Sequence, residues 1–118
     1  MKKDINIFLL HIFDNIKAIE KFTKDFGFDD FVKDEKTIYA VIRAIEIIGE
    51  AVKNIPMDFR DKHKEIEWKK IAGTRDKLIH EYFGVDLKLT FKIVKEDIPE
   101  LKEKMSELLK ELKVNKLI

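Results

Sequence analysis

Apolar residues recur along most of this chain at intervals of three and four positions, which is the spacing of one helix face and not of a strand. The first predicted helix starts at a capping residue, Asp4, and runs to about Asp25. Its apolar face consists of Ile5, Phe8, Leu9, Ile12, Ile16 and Ile19. Gly27 follows and ends the helix. The pattern therefore predicts a helical protein from its first thirty residues.

The second long helix is predicted from about Glu35 to Asn54 and is closed by Pro56. Its main apolar stripe is widened by three further small or aliphatic residues, Ala44, Ile47 and Ala51. A helix this apolar either lies at the centre of a bundle or shares part of its surface with a second subunit. The sequence leaves both options open.

The rest of the chain continues the helical pattern with short connections. The predicted pieces are a helical turn or loop at Phe28–Val32, a polar connector with one helical turn at Met57–Lys64, a third helix from about Glu67 to Phe83 stopped by Gly84, a short helix near Leu87–Lys95 capped by Asp86, and a last helix capped by Asp97 with Pro99 in its first turn. The fold class predicted is all-α: an up-and-down four-helix bundle with short extra helices, forming one domain over residues 1–118.

Composition narrows the function classes. The chain has no cysteine, which excludes a disulfide scaffold, a zinc ribbon, an iron–sulfur site and thiol catalysis. Its 24 basic and 23 acidic residues give a net charge of +1, so contact with RNA would require a local cluster of basic residues. The longest early apolar run, Ile7–Leu10, is too short for a membrane span. We expect a soluble cytoplasmic protein that makes no membrane contact.

Only three of the basic residues are arginines: Arg43, Arg60 and Arg75. Arg75 lies near the middle of the apolar stripe of the third helix, where an unpaired guanidinium would cost several kcal/mol or more. Either a carboxylate on a neighbouring helix pairs with it, for which Glu46 and Glu50 are candidates, or the stripe opens onto a cleft that holds an anion. Periodicity alone favours the structural ion pair.

His80 follows Arg75 by five residues, which corresponds to about 140° around an ideal helix and about 7.5 Å along it. The two side chains therefore diverge within one regular helix. They converge only if the last turn loosens before Gly84 or if a two-fold axis brings a second copy of the helix alongside. Tyr82, seven residues after Arg75, returns to the face of the arginine.

These three residues match the Arg-x4-His-x-Tyr signature of the HepT-like branch of the HEPN ribonucleases. The segments around them, Trp68–Asp86 and Ala40–Ala51, also resemble that family, as does the Asp97-Ile-Pro-Glu-Leu stretch. The resemblance covers about residues 5–110. One departure is Asp76, where the family often has asparagine.

The resemblance implies a helical bundle that forms a homodimer, with motif residues of both protomers lining a cleft. It implies a metal-independent endoribonuclease toxin of a type VII toxin–antitoxin pair, acting on RNA such as tRNA or mRNA without a cofactor. The partner would be a minimal nucleotidyltransferase antitoxin that transfers AMP from ATP onto the motif tyrosine. Carried over to this chain, Arg75 and His80 would be catalytic and Tyr82 would be the residue modified.

The residue types suit this chemistry. Histidine can accept the proton of a ribose 2′-hydroxyl near neutral pH, and a guanidinium offers paired donors to the charge that develops on phosphate. Arg43, Glu46, Glu50 and Asp76 could line the same cleft, although a buried salt-bridge network of Arg43, Glu46 and Glu50 fits their spacing equally well. No metal site is predicted, and His63 and Glu65 in the connector are expected to be solvated.

Two other function classes fit the same sequence. The chain could be a binding module that docks a nucleotide or a nucleotidyltransferase without turnover. It could also be a structural helical dimer, which would explain its hydrophobicity but not the motif. The variant His80→Ala distinguishes the enzyme from the binding module. An enzyme that uses His80 loses RNA cleavage in this variant, whereas a binding module cleaves no RNA in either form.

Overall fold

The computed structural model describes residues 4–80 and 84–113, with the backbone alone at Ile79 and His80. In chain order its elements are α1 (Ile5–Phe22), α2 (Phe28–Lys33), α3 (Glu35–Lys53), α4 (Met57–Lys62), α5 (Trp68–Leu78), β1 (Ile79–His80), β2 (Gly84–Val85), α6 (Leu87–Lys92), a π-helical segment (Ile93–Asp97) and α7 (Ile98–Glu111). The prediction of an all-α fold is confirmed, with α1, α3, α5 and α7 as the main helices. None of the described helices is both long and apolar enough to cross a bilayer.

Helix α1 begins as predicted and ends earlier than predicted. The Asp4 carboxylate accepts a hydrogen bond from the Asn6 amide at 2.9 Å, so Asp4 is the cap. The fully buried side chains of α1 repeat at helical spacing and form the first layer of the core: Leu9, Ile12, Ile16 and Ile19. The helix stops at Phe22 and does not reach Asp25: Thr23 departs from helical backbone angles (φ −106°, ψ 9°), and its hydroxyl donates a hydrogen bond to the Ile19 carbonyl.

Helix α3 is the centre of the bundle, since it packs against α1 on one side and α5 on the other. Gly49 lies at the contact with α5, where a Cβ added to it would be in ordinary van der Waals contact, 3.5 Å from the Ala72 carbonyl oxygen. Ala44 and Ala51 are 3% and 4% exposed. Of the two options for the broad apolar surface of this helix, the central position is therefore correct for these alanines, and their proposed role in a subunit contact is wrong.

The third predicted helix is shorter in the structure. Helix α5 ends at Leu78, not near Phe83, and the backbone of Ile79 and His80 pairs antiparallel with Val85 and Gly84. The Leu78 carbonyl accepts a hydrogen bond from the Asp86 amide at 2.8 Å, which satisfies one of the carbonyls left open at a helix end. Periodicity could not show this boundary, because the apolar stripe continues past it.

The last two predicted helices form one continuous rod. Asp97 has helical backbone angles (φ −75°, ψ −39°) and no side-chain capping bond, so the prediction that it caps the last helix is wrong. The chain passes from α6 to α7 through the π-helical segment Ile93–Asp97. Pro99 has no amide hydrogen to give to the Lys95 carbonyl, and a wider turn before it accommodates that missing bond without breaking the helix.

Candidate active site

Arg75 lies one turn before the end of α5 and reaches across to α3. Its Nε donates a hydrogen bond to Glu46 Oε2 at 2.9 Å, and Nη1 lies 3.5 Å from Asp76 Oδ1. Of the two carboxylates predicted as partners, Glu46 is the correct one. The Glu50 carboxylate instead lies 3.8 Å from Lys53 Nζ on its own helix.

The arginine side chain is 49% exposed although it lies near the middle of the apolar stripe in the sequence. Helix α5 lies at the edge of the bundle, where Trp68 and Leu78 are its only fully buried residues and Ile71 and Ala72 are half-buried. The stripe that looked like a core face is thus only partly covered. An exposed guanidinium in this position can meet an anion from solvent.

The electrostatics keep the guanidinium charged and oriented. The hydrogen bond that Arg75 donates to Glu46, and then the charge of that carboxylate, raise the pKa of Arg75 above its ordinary value, with a smaller contribution from Asp76. Within residues 4–80 and 84–113, Nη2 makes no hydrogen bond. One edge of the guanidinium is therefore held by α3, and no other described residue occupies Nη2, which has the donor geometry to bind an anion such as phosphate.

Arg43 and Glu50 lie on the same side of α3 as Glu46 but do not join it in a buried network. Arg43 is exposed and forms no hydrogen bond or ion pair with another described residue, and Glu50 is also exposed. The alternative of a buried salt-bridge network is therefore wrong for these two residues. Glu46, at 26% side-chain exposure, is the member that touches the candidate site.

His80 and Tyr82 complete the predicted set, and the structure bears on them only through the backbone. Because α5 ends at Leu78, the direction of His80 is no longer set by the 100° step of an ideal helix. This is the first of the two routes by which Arg75 and His80 could converge. The His80 imidazole and all of Tyr82 lie outside the described residues, so their roles stay predictions.

A feature that the sequence analysis passed over lies beside the site. Tyr39 is 67% exposed, and it precedes Arg43 by four residues and Glu46 by seven, which places all three on one side of α3. We call this surface the exposed α3 face: Tyr39, Arg43, Glu46, Ile47 and Glu50. The spacing of these polar residues is present in the sequence, where the apolar positions of the core stripe lie between them.

An enclosed cavity of about 70 Å³ lies beside α5, and Arg75 does not line it. It is formed between α3, α5 and α7, and its lining includes Ile48, Ile71, Thr74 and Ile98. The floor is aliphatic, and the charged residues that border it are two lysines, Lys70 and Lys104, and three acids, Glu67, Asp97 and Glu100, so the cavity has no net positive charge to attract a phosphate group. The candidate site is the exposed guanidinium and not this cavity.

Comparison with known proteins decides the family. The sequence model of the family described as ribonuclease HepT-like matches residues 12–108, a range that includes Arg75, His80 and Tyr82. The chain belongs to the HepT-like ribonuclease family. This confirms the resemblance drawn from the Arg-x4-His-x-Tyr motif, and it confirms the prediction of a ribonuclease at the level of the family.

Individual relatives agree with this assignment. A Thermococcus cleftensis protein named "probable ribonuclease HepT" is 54% identical over 110 residues, which is 93% of this chain and 100% of that protein. A Methanocaldococcus jannaschii protein named "gamma-glutamylcyclotransferase and putative RNase" is 53% identical over 116 residues, which is 98% of this chain. The chain spans about half (52%) of the length of this Methanocaldococcus jannaschii protein. No solved structure matches the chain significantly.

Proposed function

We propose that this HepT-like protein is a metal-independent endoribonuclease in which Arg75 and His80 act on one phosphodiester. The observation that supports it most is the Arg75 side chain, which is 49% exposed and held through Nε by Glu46, while Nη2 makes no hydrogen bond with any other described residue. A phosphate oxygen placed there would receive a charge-assisted hydrogen bond from a donor that is already oriented.

In the proposed reaction the His80 imidazole takes the proton from a ribose 2′-hydroxyl. The resulting oxygen attacks the adjacent phosphorus, the bond from phosphorus to the 5′-oxygen breaks, and that oxygen takes up a proton as it leaves. The products are a 2′,3′-cyclic phosphate and a 5′-hydroxyl. Arg75 stabilises the negative charge that grows on the non-bridging oxygens. None of these steps requires a metal ion.

We further propose that two copies of the chain pair through the exposed α3 face. If two α3 helices cross antiparallel about a two-fold axis between Glu46 and Ile47, Arg43 of each copy lies opposite Glu50 of the other. Such a face is self-complementary in charge, as an isologous interface requires. Because Glu46 holds Arg75, this pairing brings the two Arg75 side chains toward the same axis and supports a cleft made by both protomers.

The decisive experiment is cleavage of single-stranded RNA in excess EDTA. We expect the protein to cut, and we expect His80→Ala to abolish cleavage while its circular dichroism and oligomeric state stay those of the wild type. His11→Ala is the matched control, since His11 is an exposed histidine on α1, and it should cut normally. Cleavage that needs added metal or survives His80→Ala contradicts the mechanism. RNA or nucleotide binding without any cleavage favours the binding module instead.

We propose that the enzyme is a cytoplasmic toxin silenced by adenylylation of Tyr82. In this proposal the phosphate charge of the AMP group occupies the anion site of Arg75 and excludes RNA. Co-expression with a minimal nucleotidyltransferase from the same genome should add about 329 Da per AMP, the mass of AMP less water, and Tyr82→Phe should prevent the addition. An unmodified wild-type chain beside a nucleotidyltransferase shown to be active would contradict this switch.

A further inference from the structure

A second group of chemistry-bearing side chains lies away from Arg75. His63 and Glu65 come from the connector between α4 and α5, and Glu111 comes from the last residue of α7. One ligand atom of each residue lies within 4.8 Å of the ligand atoms of the other two. His63 Nδ1 and Glu65 Oε2 are 3.7 Å apart, which is too long for a hydrogen bond between them.

The imidazole in this group is held in place, contrary to the expectation that it would be solvated. Its side chain is 12% exposed, and its ring packs on Phe59 with the ring centroids 4.5 Å apart. The carbonyl of the same residue accepts a hydrogen bond from Trp68 Nε1 at 2.9 Å. His63 is therefore a nitrogen donor whose rotamer entropy has already been lost in folding, which lowers the cost of binding a ligand.

We propose that His63, Glu65 and Glu111 bind one divalent transition-metal ion of the zinc type. Three electron-pair donors converge on one small space, and a cation between them relieves their mutual repulsion. Imidazole together with carboxylate is a ligand set that zinc accepts, whereas magnesium and calcium prefer oxygen ligands alone. Zinc bonds of about 2.0–2.2 Å place tetrahedral ligand atoms about 3.3–3.6 Å apart. The ligand atoms already lie within 4.8 Å of one another, so each pair has to approach by at most about 1.5 Å.

Both carboxylates have the freedom for that movement. The Glu65 side chain is 49% exposed and Glu111 is exposed at the end of α7. Three protein ligands leave the fourth tetrahedral position to water. Lys104, a nearby cation on α7, has its amino group hydrogen-bonded to Glu100 at 2.9 Å and makes no hydrogen bond with Glu65.

The bound ion would cross-link two parts of the fold, the connector before α5 and the end of α7. The connector leads directly into α5, and α7 faces α5 across the aliphatic cavity. Binding would tie the beginning of α5 to the end of α7 on one side of that cavity. Arg75 lies seven residues beyond Trp68, about 10 Å further along the helix. The proposed metal site is therefore separate from the proposed nuclease site and does not depend on it.

Titration of the metal-stripped protein with Zn²⁺ by calorimetry, and with Co²⁺ by visible absorption, tests the proposal. We expect one ion per chain and intense tetrahedral-type Co²⁺ bands. Glu111→Gln should weaken Zn²⁺ binding at least about tenfold, and His63→Gln should remove the intense bands. Glu107→Gln, which removes the same charge from an exposed position one turn earlier on α7, should bind as the wild type does.

His80→Ala separates this site from the other one, because it should abolish RNA cleavage and leave Zn²⁺ binding unchanged. If Glu111→Gln and Glu107→Gln weakened Zn²⁺ binding equally, the cause would be the general surface charge of α7, and the proposal would be overturned. Retention of the Co²⁺ bands in His63→Gln, or their loss in His80→Ala, would also overturn it. The proposed nuclease would be unaffected by any of these results, since its own test is cleavage in EDTA.

Discussion

Arg75 shows why one position in a lysine-rich chain is arginine. Its Nε donates to Glu46 while the side chain as a whole stays 49% exposed, so a single side chain makes an ion pair and still has further donors for an anion. A lysine has a single side-chain nitrogen, so it lacks the separate nitrogens with which an arginine can hold a carboxylate and bind an anion at the same time. The planar guanidinium therefore links the scaffold helix α3 to the site.

Glu46 is a positioning residue in this arrangement, and Glu46→Gln tests that role. We expect the variant to fold normally, because an exposed ion pair contributes little to stability. The turnover number should fall roughly tenfold as the guanidinium loses its fixed orientation. KM should not rise, since one negative charge beside the RNA has been removed.

Steady-state kinetics on a short RNA, with thermal unfolding measured in parallel, separates these effects. Glu103→Gln, an exposed glutamate of α7, is the control for the change of charge and should be neutral in both measurements. A rise in KM with an unchanged turnover number would place Glu46 in substrate binding and would contradict the positioning role.

At the scale of elements, short local signals set where most helices begin. The Asp34 carboxylate accepts a hydrogen bond from the Thr37 amide at 3.0 Å at the start of α3, and the Asp86 carboxylate accepts one from the Leu89 amide at 3.0 Å at the start of α6. These caps satisfy amides that have no partner inside the helix. The predicted starts of α1, α3 and α6 are confirmed for this reason.

Asp34→Ala should destabilise the protein by about 1 kcal/mol, because it removes the cap of the central helix. Asp34→Ser keeps an oxygen that can accept the Thr37 amide and should lose only part of this stability. Urea unfolding followed by circular dichroism measures both variants. If serine is as destabilising as alanine, the loss comes from another contact of Asp34 and not from the cap.

The ends of elements were harder to predict than their beginnings. The early end of α5 depends on the pairing of Ile79 and His80 with residues 84–85, and on the bond from the Asp86 amide to the Leu78 carbonyl. The continuity of α6 and α7 depends on a π-helical segment, Ile93–Asp97, which no residue type in the sequence predicts. Both outcomes are set by contacts between segments, so local periodicity could not reveal them.

At the scale of the whole molecule, the placement of α3 between α1 and α5 leaves one polar side of that helix uncovered. Tyr39, Arg43 and Glu50 are exposed there, and Ile47 is only partly buried. An exposed tyrosine beside opposite charges at symmetric positions is what a two-fold contact between copies would use. This face, and not the buried alanines, is the surface to test for dimerisation.

A charge-reversal pair tests the antiparallel contact. Arg43→Glu should weaken the dimer at least about tenfold, because it places two glutamates opposite each other twice in each dimer, and Glu50→Arg should do the same with arginines. The double variant Arg43→Glu/Glu50→Arg should restore association. Sedimentation velocity at several concentrations reports the dissociation constant of each protein.

Lys36→Glu provides the control, since Lys36 is an exposed cation at the beginning of α3 and away from the proposed axis. A double variant that dissociates as readily as the single ones would contradict the Arg43–Glu50 pairing. A wild-type monomer that still cleaves RNA would contradict the composite cleft itself.

The sequence by itself determined the helical class, most helix starts and the identity of the motif, because these depend on residues within a few positions of one another. It also identified Glu46 as one of two partners for Arg75. The tertiary structure decided which carboxylate pairs with the guanidinium, how far Arg75 is exposed, that Ala44 and Ala51 belong to the core, and that His63 is packed beside Glu65 and Glu111. These properties depend on how segments that are distant in sequence approach one another in space, and the hydrophobic pattern along the chain contains no information about those distances.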